Sequence, residues 1–121
     1  KNLKEDIEPG TYDYGIVFEH FIVNEIIRLN QYLKKDFEFS FYRSASGAEV
    51  DLIIEDSKGK VFAIEIKSSE VPSKADLKGL FSFKEIRNDA ELICVSRAVS
   101  KRDLGDITVY PWKEFLDEFF A

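Results

Sequence analysis

An α/β domain built on a mixed sheet is the fold class the sequence predicts, and three observations carry it. Apolar residues recur at helical spacing through 13–35, from Ile16 and Phe18 to Tyr32 and Leu33. Two segments rich in Val, Ile, Leu and Phe, 48–55 and 60–67, flank the turn chemistry Asp56-Ser57-Lys58-Gly59 and read as a β-hairpin. A second helical pattern and then a short apolar run at 91–96 follow, and the order hairpin, helix, strand requires a crossover within one sheet.

Gly10 and Gly15 punctuate the start of the first helix. At about 100° per residue, His20, Asn24, Arg28 and Gln31 gather into one solvent stripe. Glu19 does not join them, because its angular neighbours are Val23 and Ile26, on the side turned to the body of the domain. It suits a half-buried glutamate paired with a lysine or arginine as well as it suits a functional acid. Glu25, between Phe18 and Tyr32 in projection, is a second acidic exception.

In the hairpin, a three-residue loop Ser57-Lys58-Gly59, with the glycine in the left-handed position, sets Asp56 opposite Lys60. Counting back places Asp51 opposite Glu65, and the period of two adds Glu49 and Lys67 to their face. Val50, Leu52, Ile54, Ile64 and Ile66 fall on the other face, toward the core. A two-residue loop would slip the register by one and separate the carboxylates. Downstream, Ser73-x-x-Asp76 resembles a helix cap preceding Leu77, Leu80, Phe81 and Ile86, so a helix of about four turns is expected. The run 91–96 is a buried strand next to the hairpin, 97–106 a polar mobile loop, and 107–110 an added edge strand. Pro111 then opens a packing helix carrying Trp112, Phe115, Leu116 and Phe119.

Asp51, Glu65 and Lys67 occupy strand positions that usually hold apolar side chains, and burying ionised groups without partners is costly. Two readings suit them: a solvated face with cross-strand ion pairs, or carboxylates that hold a divalent cation beside a lysine. His20 has no second histidine or cysteine at ligand spacing and reads as a surface residue. The single cysteine, Cys94, lies in Leu92-Ile93-Cys94-Val95, which excludes an intrachain disulfide and suits a small buried hydrophobe. No glycine-rich phosphate loop occurs, so an ATPase motor is not encoded in this stretch.

Helix glutamate, strand aspartate and then Glu-x-Lys on the next strand is the order found in the PD-(D/E)XK nuclease superfamily, which this chain resembles. The phrases Gly15-x-x-Phe18-Glu19-x-Phe21, Phe41-Tyr42-Arg43, Gly47-x-Glu49-Val50-Asp51-Leu52 and Ile64-Glu65-Ile66-Lys67-Ser68-Ser69 look like the C-terminal domain of unknown function carried by many prokaryotic AAA+ family ATPases. The resemblance runs from Gly15 to Ser96. It implies a restriction-endonuclease-like core, with Glu19, Asp51 and Glu65 as the acidic positions and Lys67 as the catalytic lysine. Val50 stands where the superfamily's name has proline. By the same resemblance, Mg2+ or Mn2+ would be held by Asp51, Glu65, the backbone carbonyl of Ile66 and Glu19, for hydrolysis of DNA phosphodiesters. Glu49, Arg43 and Ser69 are accessory candidates, and Ser68, Ser69 and Lys74 also suit a plain polar turn. The partners implied are DNA and the N-terminal ATPase domain of the same protein, with an oligomer compatible.

At 121 residues with 45% hydrophobic composition, the chain can bury one core, and a single domain over 1–121 is expected. The Lys1 start and the absence of methionine suggest a domain excised from a longer ATPase chain. No apolar run approaches 18 residues, so no membrane span is expected and a cytoplasmic setting is. The net charge of −6 opposes tight DNA binding, which draws on lysine and arginine at phosphates. Lys34, Lys35, Arg43, Lys74, Lys78, Lys84 and Arg87 are the local basic groups able to line an approach. DNA affinity is therefore expected to be weak for this domain alone. The alternative from a different class is a nuclease-fold module that cleaves nothing and serves binding or regulation of the ATPase.

Overall fold

A computed structural model describes residues 12–121, and Gly10 and the Lys1 segment lie outside the described residues. Helix α1 (Tyr12–Leu33) precedes strands β1 (Glu38–Arg43), β2 (Glu49–Glu55) and β3 (Val61–Lys67). A 3-10 turn (Lys74–Leu77) runs into α2 (Lys78–Ile86). Strands β4 (Glu91–Ser96), β5 (Arg102–Leu104) and β6 (Ile107–Pro111) and helix α3 (Trp112–Phe119) complete the chain. One six-stranded mixed sheet results, in the order β1-β2-β3-β4-β6-β5. The first three strands are antiparallel, β3, β4 and β6 are mutually parallel, and β5 returns antiparallel on the far edge. No helix among the described residues is long and apolar enough to cross a membrane.

Helix α1 buries Phe18, Ile22 and Ile26, which recur every four residues on one face. It ends two residues earlier than expected. Lys34 and Asp36 take positive φ, and Asn30 caps the turn by accepting from the N–H groups of Lys35 (3.1 Å) and Phe37 (3.0 Å). Gly15 lies inside the helix rather than ahead of it.

The hairpin register is the expected one. Leu52 pairs with Ile64 and Glu55 with Val61, the Asp56 N–H donates to the Lys60 carbonyl at 2.9 Å, and Gly59 has φ of 84°. Asp56 Oδ1 also accepts from the N–H groups of Lys58 and Lys60, which locks the three-residue loop. The expected cap before α2 forms as well: the Asp76 carboxylate accepts the Ser73 N–H at 2.9 Å.

One unassigned segment gains an element and two expectations are corrected. Segment 38–43 is a full edge strand, paired with β2 through a second three-residue loop in which Ser44 N–H donates to Ala48 O. The polar segment 97–106 contains β5, so 107–110 is an interior strand between β4 and β5. Finally, both sheet faces are buried. Leu52, Ile54, Ile64 and Ile66 join α1 and α3 in one core, whereas Val50 and Ile53 join Ala63, Leu80, Phe83 and Leu92 beneath α2. Val50 therefore packs on the face opposite to the one expected.

That inversion has a local cause. Ser40 pairs with Ile53 and Tyr42 with Val50, so the single residue Phe41 on β1 opposes both Asp51 and Leu52 on β2. A β-bulge at Asp51-Leu52 reverses the alternation on its far side.

Candidate metal and acid site

Asp51 occupies the bulge, and just beyond the last regular pair of the β2–β3 ladder the two strands are joined by their side chains. Glu65 Oε1 accepts the Asp51 N–H at 3.1 Å, and Asp51 Oδ2 accepts the Ile66 N–H at 2.8 Å. Each carboxylate thus replaces a ladder carbonyl of the opposite strand. Glu65 is 8% exposed. Lys67 Nζ, on the next position of the same face, stands 3.3 Å from Glu65 Oε2.

The electrostatics follow from burial. Desolvation, then the Asp51 charge, push the Glu65 carboxyl up to about 7, against the opposing pull of Lys67. Desolvation also raises Asp51, while the Ile66 N–H, Lys67 and a hydrogen bond from Glu65 favour its ionised form. The two carboxyls, both raised by burial, titrate as a unit. Glu19 reaches the same neighbourhood from α1: desolvation and then the Asp51 charge raise its carboxyl, with Lys67 acting against them.

Glu19 enters as a field, not as a close ligand. No group of three or more His, Cys, Asp and Glu side chains among the described residues could hold a metal ion. What is assembled is a two-carboxylate site. Its donor set fits a hard divalent cation, because Mg2+ is commonly held by one or two carboxylates with the remaining positions taken by water and substrate. Two desolvated carboxyls side by side mark where positive charge is wanted. Ile66 contributes its N–H to this arrangement, so its carbonyl is a further oxygen on a residue already in the site.

The other candidates separate by role. Glu49 pairs with Arg43 at 3.1 Å in the open. Ser69 Oγ accepts the Val71 N–H at 3.0 Å, the polar-turn role. Glu25 forms a two-pronged pair with Arg28 on the surface of α1. Cys94 is fully buried and its thiol is pushed up to about 12 by desolvation and the nearby Glu65, which leaves it unreactive. Several basic groups are spent within the chain: Lys84 Nζ donates to the Ala90 carbonyl, Arg87 pairs with Asp89, and Lys35 Nζ donates to the Ala121 carbonyl.

Two residues of the site's frame escaped sequence reasoning. A Cβ at Gly79 would stand 1.8 Å from the Glu49 carbonyl oxygen, so α2 lies directly on the backbone that leads into the bulge. The available signal was a lone glycine within a helical pattern. Arg97 donates to the Ser68 carbonyl at 3.2 Å and covers the Tyr14 ring, tying the exit of β3 to the first turns of α1.

The sequence profile of the family described as Domain of unknown function (DUF4143) matches residues 14–115. The chain belongs to this family. The DUF4143 match spans Glu19, Asp51, Glu65 and Lys67 together. Comparison with curated proteins gives no match. Among solved structures, the DUF4143 fold is similar to a chain of the tetradecameric Thermococcus gammatolerans assembly of McrB AAA+ hexamers with bound McrC. That likeness has a TM-score of 0.57 and 17% identity over 79% of this chain and 27% of that one. It is a likeness of fold, and this DUF4143 chain spans about a quarter of the other's length.

Proposed function

We propose that this DUF4143 domain is a metal-dependent, PD-(D/E)XK nuclease-like module that hydrolyses DNA phosphodiester bonds beside an AAA+ ATPase. The observation that supports it best is the Asp51–Glu65 pair, held by crossed backbone bonds at a β-bulge and flanked by Lys67. When bound, Mg2+ or Mn2+ would supply charge neutralisation at the attacked phosphate and acidify water. Asp51 and Glu65 would hold the cation, with the Ile66 carbonyl as a further oxygen. Lys67, at the rim with a side chain 36% exposed, can donate from Nζ to water or to a phosphate oxygen and stabilise charge developing there. Glu19, on the helix side, lies within the field of the Asp51 charge, which together with desolvation raises its carboxyl. The DUF4143 membership and the AAA+ setting of the structural neighbour support placing the module next to an ATPase, where oligomerisation would supply the DNA affinity that a domain of net charge −6 lacks.

A second reading is favoured by that same charge and by the basic residues already paired within the chain: a scaffold that binds or regulates without cleaving. Cleavage of plasmid and branched DNA with Mg2+ or Mn2+ separates the two. Activity in the wild type that disappears in Asp51→Ala and Lys67→Ala supports the nuclease. Equal residual activity in all three proteins eliminates it and leaves the scaffold.

A further inference from the structure

Lys67 is the last residue of β3, and strand ends are where a ladder frays. Its ammonium stands 3.3 Å from Glu65 with the side chain 36% exposed. An ion pair constrains that tip, but where the tip can reach is set by the main chain at Lys67 and just beyond it.

The main chain there is fastened by Arg97, the first residue after β4. Its backbone N–H donates to the Ser69 carbonyl at 3.2 Å and its Nη1 to the Ser68 carbonyl at 3.2 Å, so one residue holds both carbonyls that follow Lys67. The same guanidinium stands over the Tyr14 ring, 5.4 Å from its centre, and its Nη2 lies 3.7 Å from Glu70. Tyr14 stacks at 6.3 Å on Phe18, a buried residue of α1, so the ring beneath the guanidinium is anchored in the core. Helix α1 meets the same loop a second time, since a Cβ at Gly15 would stand 3.6 Å from Ser68 Oγ.

The acid pair itself closes without Arg97, through the crossed bonds of Asp51 and Glu65 within the hairpin. The two charged groups that flank the pair are placed differently. Lys67 is one residue from the clamp, and Glu19 follows Tyr14 by five residues, about 7.5 Å along the axis of α1. A planar guanidinium can donate to a carbonyl from one edge while its face covers a ring and a second nitrogen meets a carboxylate. Lysine offers a single point charge and cannot span the three.

We propose that Arg97 is a positioning residue: by clamping the Ser68 and Ser69 carbonyls onto the first turns of α1, it fixes where Lys67 Nζ stands beside Glu65. It acts through Lys67 and not by contact with DNA. The kinetic consequence rests on the nuclease reading, whereas the placement of Lys67 does not.

The test compares wild type with Arg97→Ala, Arg97→Lys and Glu70→Gln in this 121-residue chain. A lysine whose ammonium is held gives two separate ε-proton signals in 13C-edited NMR, and a freely rotating one gives a single merged signal. Lys67 should show the separated pair in the wild type and in Glu70→Gln, whose carboxylate is 60% exposed and only loosely engaged. The merged signal is expected in Arg97→Ala and also in Arg97→Lys, which keeps the charge and serves if the alanine variant fails to fold. With Mg2+ and plasmid DNA, kcat should fall on the order of tenfold to a hundredfold in both Arg97 variants, with KM within about twofold of wild type. A merged Lys67 signal in the wild type, separation that survives the loss of Arg97, or full rescue by lysine overturns the proposal. A raised KM at unchanged kcat does so too, because Arg97 would then be touching the DNA. If the wild type cleaves nothing, the nuclease reading falls and the Lys67 signals alone decide the role of Arg97.

Discussion

Replacing Glu65 by glutamine keeps an oxygen for the Asp51 N–H and removes the charge that burial penalises. The wild-type carboxyl titrates at about 7 in the folded chain against an ordinary 4.5, and at 1.36 kcal/mol per pH unit the difference is roughly 3 kcal/mol. Because the folded value is the higher one, the native state binds more protons than the unfolded chain between those two values. Stability of the metal-free wild type therefore falls as pH rises from 4.5 to about 7 and stays low above it. Glu65→Gln should lose the Glu65 share of this dependence: close to wild type at pH 5 and more stable by about 3 kcal/mol, or roughly 10 °C in Tm, at pH 8 in EDTA. Adding Mn2+ or Mg2+ at pH 8 should restore the wild type toward the variant and leave the variant unmoved. Thermal unfolding by circular dichroism across the pH range, with and without cation, measures all of this. A Tm difference that does not vary with pH, or a variant no more stable than wild type at pH 8, would refute the buried-charge argument and with it the claim that the pair is short of positive charge.

Other consequences are simpler to read. Alanine at Gly79 normally gains up to about 1 kcal/mol in a helix, yet here its Cβ would meet the Glu49 carbonyl, so urea denaturation should report a loss of about 1–3 kcal/mol. A variant as stable as wild type would mean that α2 does not rest on β2. Asp51→Asn removes the negative charge that helps to raise Glu19, so the Glu19 carboxyl followed by 13C NMR should titrate at lower pH. No movement would deny the two groups a common field. Arg43→Ala breaks a pair whose side chains are 68% and 55% exposed, and its effect in the same denaturation assay should stay under about 1 kcal/mol.

The hairpin register was legible because everything that sets it is local: Gly59 at positive φ and the Asp56 carboxylate closing over Lys58 and Lys60. Once that turn is read, Asp51 and Glu65 are neighbours by counting. The bulge was not legible, since it arises from the pairing of β2 with β1, which no turn or motif within β2 announces. Missing it assigned Val50 to the wrong core. The same weakness hid β5, three residues on the far edge with no buried member. Glu19 was correctly singled out as an anomaly on an apolar face, but helical projection gives direction without reach. That it feels the Asp51 charge while standing outside any close ligand group among the described residues needed coordinates.

The contact between Gly79 and the backbone of Glu49 has a bearing on how this domain can diverge. Most helix–sheet contacts are negotiated by side chains, so substitutions on either side shift the elements and the shifts accumulate over generations. Here main chain meets main chain, and nothing that changes in the side chains of α2 alters the spacing at that point. The rest of the helix is free to drift in composition while the strand entering Asp51 keeps its place. Relatives that share this fold with little sequence in common could conserve the position of their acidic strand by preserving one small residue, and a family member that acquires a larger one there should be found to have lost the acidic pair as well.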